Sequence, residues 1–355
     1  MKVLVSPLDW GLGHATRCIP VIKAYLAYGA EVELATCGSS AVLYQTEFPD
    51  LVQHEIPSYG IRYPKHGSEM PLWLFKNLPR LSQVVEAEHQ RMEQIVKERN
   101  IQVVLSDNRF GSYSTHAKSI YMTHQMRIAF PFPLAFLEFL GIHWHLRQMK
   151  KFSEIWIPDF PEASGMAGKL SHVPHFPRPV KYVGLLSRFE TPAFTETKDI
   201  DVLAILSGPE PMRTVLEHRV LETLSQIPGN HAVILGIPGA SLKEAKRGNI
   251  SLYSHLETAD FAHWVARAKT VLARPGYSTV MDMARLGASC IFVPTPGQTE
   301  QLYLGTSLHA AGYAGLISQK SLSPSSFEKA REKSYRIPEP LTQKPLLSLA
   351  ISTAT

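Results

Sequence analysis

The stretch Arg274-Pro-Gly-Tyr-Ser-Thr-Val-Met-Asp282 sets a tight glycine turn ahead of two hydroxyl side chains and, one helical turn later, a carboxylate. N–H groups in the first turn of a helix have no partner within the helix and carry the positive end of its dipole, so such a turn suits an anion. Gly276, Ser278 and Thr279 would then meet phosphate, with Arg274 beside them, and Asp282 would accept ribose hydroxyls. The next stretch, Gly287-Ala-Ser-Cys-Ile-Phe-Val-Pro294, leads to Gly297-Gln-Thr-Glu-Gln301, where Glu300 and Gln301 pair an acid with an amide suited to gripping sugar hydroxyls. Two neighbouring strand-end loops of this kind describe a nucleotide-sugar pocket, and with it a transferase site.

A second candidate lies near the N-terminus, in Asp9-Trp-Gly-Leu-Gly-His-Ala-Thr-Arg17. His14 follows the tight turn, where an imidazole can project from the loop and accept a proton near neutral pH, while Gly13 offers backbone contact to phosphate. A dinucleotide site would want a third glycine where Thr16 stands and an acid near Thr36-Cys37-Gly38, so NAD is disfavoured. Asp107, in Ser106-Asp-Asn-Arg-Phe-Gly111, could orient His14 and stabilise its imidazolium, or could equally cap the following turn. His124-Gln125, after the apolar Ile120 to Met122, forms a third strand-end pair that could face an acceptor. In Leu206-Ser-Gly-Pro-Glu-Pro211, Ser207 and Gly208 could reach phosphate with Arg213 nearby, although alone this reads as a well-started helix. Leu256, beside His255, could pack against a flat base.

Other chemistries find less support. Asp199-Ile-Asp201 has the Asp-x-Asp form used to hold divalent metal on nucleotide sugars, but it opens a strand, at the end opposite a ligand-bearing edge, and reads as structural. The fifteen histidines show no H-E-x-x-H spacing, so no metal site is expected, and no cofactor either. A G-x-S-x-G elbow and a P-loop are both missing, which lowers the case for a hydrolase or an NTPase.

These loops need strands and helices to hold them. Val3 to Val5 reads as a strand, Ala15 to Tyr28 as a helix stopped by Gly29, and Glu31 to Ala35 as the next strand, a βαβ unit that implies a parallel sheet. A helix from Leu81 to Arg99, a strand from Gln102 to Leu105 and another from Glu154 to Ile157 repeat the theme. Between Leu186 and Lys198 the aliphatic residues thin out around Pro192, as in an exposed linker. Beyond it, strands are expected at Asp201 to Leu206, His231 to Leu235, Ile250 to Tyr253, Thr270 to Ala273 and Ser289 to Val293. Helices are expected at Arg213 to Gln226, Asp260 to Ala268 and Thr279 to Arg285. The chain is therefore expected to be α/β, with a Rossmann-like acceptor-side domain over 1–186, a Rossmann-like donor domain over 199–335 and a tail over 336–355. Two such sheets would set their loops across a common cleft.

Composition fits a cytoplasmic globular protein. The 355 residues are 45% hydrophobic and suit two domains, and the three widely spaced cysteines encode no disulfide framework. No secretion signal is evident after Met1. The net charge of +5 is scattered rather than massed, so nucleic acid is not expected as a partner. The apolar segments Met70 to Phe75 and Phe130 to Trp144 could dock peripherally on the inner face of a membrane to reach a lipid-linked acceptor, although such stretches are more often core.

Together, the Gly-Leu-Gly-His loop, the two-sheet layout and the Arg274 to Gln301 segment resemble the GT-B glycosyltransferases, above all the MurG-like group that transfers N-acetylglucosamine from UDP. The resemblance implies that His14 lies near the reacting centre, that Ser278 and Thr279 lie near phosphate with Asp282 on the ribose, and that Glu300 and Gln301 hold the donor sugar. It implies a UDP-sugar donor and an inverting, metal-independent transfer to an acceptor hydroxyl. The glycine run of the first loop is sparser than in the family, and Tyr59 to Leu78 and Phe130 to His145 follow no family pattern, so the acceptor stays open between a sugar and a lipid-linked sugar. A UDP-sugar 2-epimerase of the same fold and a non-catalytic nucleotide-sugar-binding protein are the alternatives.

Overall fold

The computed structural model describes residues 1–60, 70–126, 138–161, 165–173, 175–189, 197–208, 210–237 and 244–338. The chain divides into two compact units, one drawn from Met1–Pro64 and Ser68–Ser187, the other from Arg188–Pro340. In the first unit the elements run β1 (Lys2–Pro7), α1 (Leu12–Ala27), β2 (Glu31–Thr36), α2 (Gly38–Glu47), β3 (Gln53–Glu55), α3 (Met70–Arg99), β4 (Val103–Asp107), β5 (Lys118–Met122), α4 (Glu138–Met149), β6 (Glu154–Ile157) and β7 (Val180–Tyr182). The second unit runs β8 (Ile200–Ile205), α5 (Met212–Leu224), β9 (His231–Ile234), β10 (Glu244–Arg247), β11 (Ile250–Tyr253), α6 (Thr258–Arg267), β12 (Ala268–Ala273), α7 (Tyr277–Arg285), β13 (Cys290–Phe292), α8 (Thr299–Ala310), β14 (Gly315–Leu316) and α9 (Pro324–Arg331).

The first sheet has the order β3-β2-β1-β4-β5-β6-β7 and is parallel throughout. Its strands are short apolar runs because helices cover both faces; Val3, Leu4 and Val5 are fully buried. Helix α3 seats Met92, Ile95 and Val96, one face at helical spacing, against Leu4, Ala35, Ile56 and Val104. The chain reverses direction across this sheet between β1 and β4, so the loops after those two strands flank a switch point, where open α/β sheets leave room for a ligand.

The second sheet has the order β10-β11-β9-β8-β12-β13-β14, parallel except for the antiparallel β10–β11 edge. Its switch point lies between β8 and β12. Leu216, Val220 and Leu224 of α5, four residues apart, pack on Val202, Ala204, Val233, Leu272 and Ile291 from four strands. Each such side chain contributes about 1.5–3 kcal/mol on burial.

Several boundaries differ from the sequence expectation. Helix α3 begins at Met70 rather than Leu81 and carries Pro79 within it; a proline removes one helical hydrogen bond and need not end a helix. Helices α2, α4, α8 and α9 and the edge strands β3, β7, β10 and β14 have no counterpart in the periodicity reading. Asp199 is paired with Arg267 (2.5 Å) and Asp201 with Lys269 (2.7 Å), at the start of β8. The expected linker falls largely on 190–196, and the segments at 61–69 and 127–137 and the tail beyond 338 likewise lie outside the described residues.

Candidate functional site

At the first switch point the register brings Pro7 of β1 beside Asp107 of β4, and the Leu8 N–H donates to the Asp107 carbonyl at 2.9 Å. The chain then turns through Gly11, whose φ of +80° is the left-handed conformation glycine adopts without strain, and enters α1. His14 sits in the first turn of that helix and Arg17 one turn later on the same face. The side chains of Arg17 and Asp107 are 2% and 0% exposed, while that of His14 keeps 14%.

The four groups form one cluster. Asp107 Oδ2 lies 3.2 Å from His14 Nδ1 and accepts from Arg17 Nε at 2.7 Å, and its Oδ1 accepts a second, very short bond from the same guanidinium. Arg17 also donates to His14 Nδ1 at 2.8 Å and to His124 Nδ1 at 2.9 Å. Burial alone would raise the Asp107 pKa, but the adjoining Arg17 and His14 hold it down at about 2, so it is ionised. For His14, burial and then Arg17 lower the pKa against the pull of Asp107, and His14 is neutral near pH 7. Gln125, half-buried, follows His124 with its N–H on Thr123 Oγ1 at 3.1 Å.

A second buried pair braces the loop that carries Asp107. Arg109, fully buried, pairs with Glu88 and lies 5.0 Å from the Tyr59 ring, while Glu88 also accepts from Tyr59 Oη, Ser112 Oγ and the Gly111 N–H. Asn108, next to Asp107, takes a left-handed φ of +62° and accepts from Tyr121 Oη at 2.9 Å. The loop is thereby fixed on both sides of the carboxylate.

In the second unit, β8, β12 and β13 are parallel, so the starts of α5, α7 and α8 gather at one edge of the sheet. The residue preceding each of these three helices does not cap it with its side chain, although Glu210 accepts the Thr214 N–H in the first turn of α5 at 3.3 Å. Ser207 and Gly208 are exposed after β8, and Gly276, Ser278 and Thr279 open α7 half-buried, with Asp282 half-buried a turn further on.

Three expected contacts take a different form. Arg274 is fully buried and donates to the Val293 carbonyl (2.9 Å), the Met212 carbonyl (3.1 Å) and Gln319 Oε1 (2.6 Å), tying the β12 loop to the end of β13, the start of α5 and the turn at Gln319–Ser321. No carboxylate is among these partners, and burial lowers its pKa to about 10. Arg213 spends its charge on Glu210 (2.6 Å) and Glu217 (2.7 Å). Glu300 and Gln301 lie in the first turn of α8 rather than in a loop, and Gln301 turns inward to accept the Thr295 N–H at 2.8 Å. Leu256 stands half-buried between β11 and α6.

Two residues were missed by reading the sequence. Arg17 is three residues after His14 on an otherwise apolar helix face, a spacing that could have suggested contact. Thr295 carried no signal: its buried Oγ1 has no hydrogen-bond partner and would lie 3.9 Å from a Cβ placed on Gly208, which brings the β8 and β13 loops together.

Residues 213–346 match the model for the glycosyltransferase family 28 C-terminal domain. Over 339 residues the chain is 24% identical to an uncharacterized glycosyltransferase of Methanosarcina acetivorans, covering 90% of this chain and 86% of that one. Over 165 residues it is 30% identical to the UDP-N-acetylglucosamine--N-acetylmuramyl-(pentapeptide) pyrophosphoryl-undecaprenol N-acetylglucosamine transferase of Polaromonas naphthalenivorans, covering 41% and 45%. Its fold is similar to that of the spinosyn rhamnosyltransferase SpnG complexed with thymidine diphosphate, with a TM-score of 0.63 at 16% identity, over 100% of this chain and 95% of that one.

Proposed function

We propose that this chain, a MurG-like GT-B glycosyltransferase, moves a sugar from a UDP donor onto an acceptor hydroxyl with inversion and without an essential metal. The acceptor oxygen attacks the anomeric carbon as the bond from that carbon to the diphosphate oxygen breaks. His14 takes the acceptor proton, and the ionised Asp107 steadies the imidazolium that results. The electron pair leaves with UDP. Its growing charge is met by the positive N-terminal ends of the α5, α7 and α8 dipoles, by Ser207 and Ser278, and by the field of buried Arg274.

The strongest single support is Arg274: a buried cation whose hydrogen bonds go to the start of α5, the end of β13 and Gln319 and to no carboxylate among the described residues, inside the stretch that matches a glycosyltransferase domain. A second support is the neutral His14 beside an ionised acid. Asp282 and Glu300 are assigned to the ribose and the donor sugar, Gln301 to holding the Thr295 loop beneath that sugar, and Leu256 to the base. His124 and Gln125 are assigned to the acceptor side. A lipid-linked acceptor fits the name of the Polaromonas relative, and peripheral attachment at the inner membrane face goes with it. Among the described residues no helix is long and apolar enough to cross a membrane.

The decisive assay incubates UDP-N-acetylglucosamine with lipid-linked and free sugar acceptors and measures UDP release and product. His14→Ala should lose turnover while UDP still raises the melting temperature. Normal turnover by His14→Ala would remove the assigned base, and conversion of donor alone into its 2-epimer would replace transfer by epimerisation.

A further inference from the structure

A guanidinium has five N–H donors and no acceptor, and it does not lose its proton in a folded protein. The 2.8 Å contact of Arg17 with His14 Nδ1 and the 2.9 Å contact with His124 Nδ1 therefore each use a ring lone pair. Where Nδ1 accepts, the proton of a neutral imidazole is on Nε2. A general base needs the reverse: Nδ1–H turned to a carboxylate and a bare Nε2. Asp107 Oδ2 stands 3.2 Å from His14 Nδ1, farther than Arg17, and is itself engaged by Arg17 Nε at 2.7 Å.

We propose that Arg17 is the positioning residue of this site: it holds the resting His14 neutral with its proton on Nε2, so that the base is formed only when Nδ1 passes from Arg17 to Asp107. The assignment rests on His14 being the base of the transfer. The groups facing His14 are Arg17 from α1, Asp107 from β4 and His124 from the loop after β5; Cys18, 3.7 Å from Asp107 Oδ2, adjoins the carboxylate. Arg17 and His124 oppose a charge on His14, and Asp107 favours it. Arg17 thus acts on the ring in two separable ways, by its charge and by the geometry of its fork.

The consequence for chemistry is specific. When Arg17 returns to Nδ1 after transfer, the imidazolium gives its Nδ1 proton to water and keeps the acceptor's proton on Nε2, which restores the neutral resting ring for another turnover. Before transfer, the resting ring offers a hydrogen-bond donor rather than an acceptor. If acceptor binding draws Arg17 away, Nδ1 takes a proton from water to face Asp107 and Nε2 releases its proton to water, so that the base is created where a substrate is already in place.

The test uses the full-length protein with 15N- and 13C-labelled histidine, His14 and His124 being assigned by comparison with His14→Gln and His124→Gln. In the wild type near pH 7, both rings should show an unprotonated Nδ1 and a protonated Nε2. A proton on His14 Nδ1 in the free wild-type protein overturns the proposal without any variant. In Arg17→Met the His14 titration should move upward by about one pH unit or more, because the repelling charge is gone and Asp107 remains. In Arg17→Lys, which keeps the charge but not the fork, the titration should stay near that of the wild type while the proton moves to Nδ1. An unmoved His14 titration in folded Arg17→Met refutes the charge effect. A protonated Nε2 in Arg17→Lys refutes the fork. Should His14→Ala retain turnover, the base assignment falls while these ring measurements still decide the role of Arg17.

Discussion

At the scale of single residues, the chemistry depends on a carboxylate that burial alone would neutralise. Asp107 stays ionised because Arg17 and His14 share it, and its folded pKa is about 2. A depressed carboxylate adds stability that is fully present above its unfolded value of about 3.9 and is lost as pH falls through the folded value. Urea midpoints measured from pH 5 to pH 2 should therefore fall more steeply for the wild type than for Asp107→Asn. At pH 7 that variant should be less stable by about 3–5 kcal/mol, since it strands a buried guanidinium. His145 gives the opposite case in a basic group. It is 2% exposed, and burial lowers its pKa to about 4. Between about pH 6.5 and 4 the unfolded chain takes up a proton that the folded ring refuses, so stability declines as pH drops through this window, by about 3 kcal/mol. His145→Gln should flatten this part of the pH–stability curve, and an unchanged slope would count against a buried neutral ring. For turnover, His14→Ala should cost at least about 100-fold in kcat, the ordinary weight of a general base, with UDP binding kept.

At the scale of elements, one buried cation ties the loop before α7 to the start of α5, the end of β13 and Gln319. Arg274→Met would remove three hydrogen bonds together with the cost of burying a charge. These effects offset, so the urea midpoint should move by under about 2 kcal/mol. UDP affinity should fall about tenfold or more by calorimetry, as the field on the diphosphate is lost. Equal stability with unaltered UDP affinity would reduce Arg274 to a brace. Gly208 has φ of +107°, where an L side chain is strained, although a Cβ there would only reach van der Waals distance of Thr295 Oγ1 at 3.9 Å. Gly208→Ala should cost about 1–2 kcal/mol through backbone strain rather than collision, readable in the urea midpoint.

At the scale of the whole molecule, a ligand that binds only the folded chain raises its apparent stability, by about 2.7 kcal/mol at 100 times its Kd. Thermal shifts with UDP-, GDP-, CDP- and TDP-sugars should single out the UDP donor; a larger shift with another nucleotide would reassign the base specificity. The α/β class and most sheet strands of both units were legible in the chain because buried parallel strands are continuous apolar runs and their helices repeat every three or four residues. The Gly-Leu-Gly-His loop and the Arg274 to Asp282 turn were legible because a ligand-bearing turn must follow a strand and open a helix. Edge strands such as β14, two residues long, and helix α8, whose two faces differ little in polarity, leave no such period to read. What sequence by itself determined was the kind of fold and the loops that bear the candidate chemistry. Only the tertiary structure decided that Arg17 joins His14, His124 and Asp107, that Arg213 is spent on two glutamates, and that Arg274 points inward. Residue types and spacing fix which side chains are available along a strand or helix, whereas the partner of a buried charge is set by which distant segments the sheet register brings within about 3 Å.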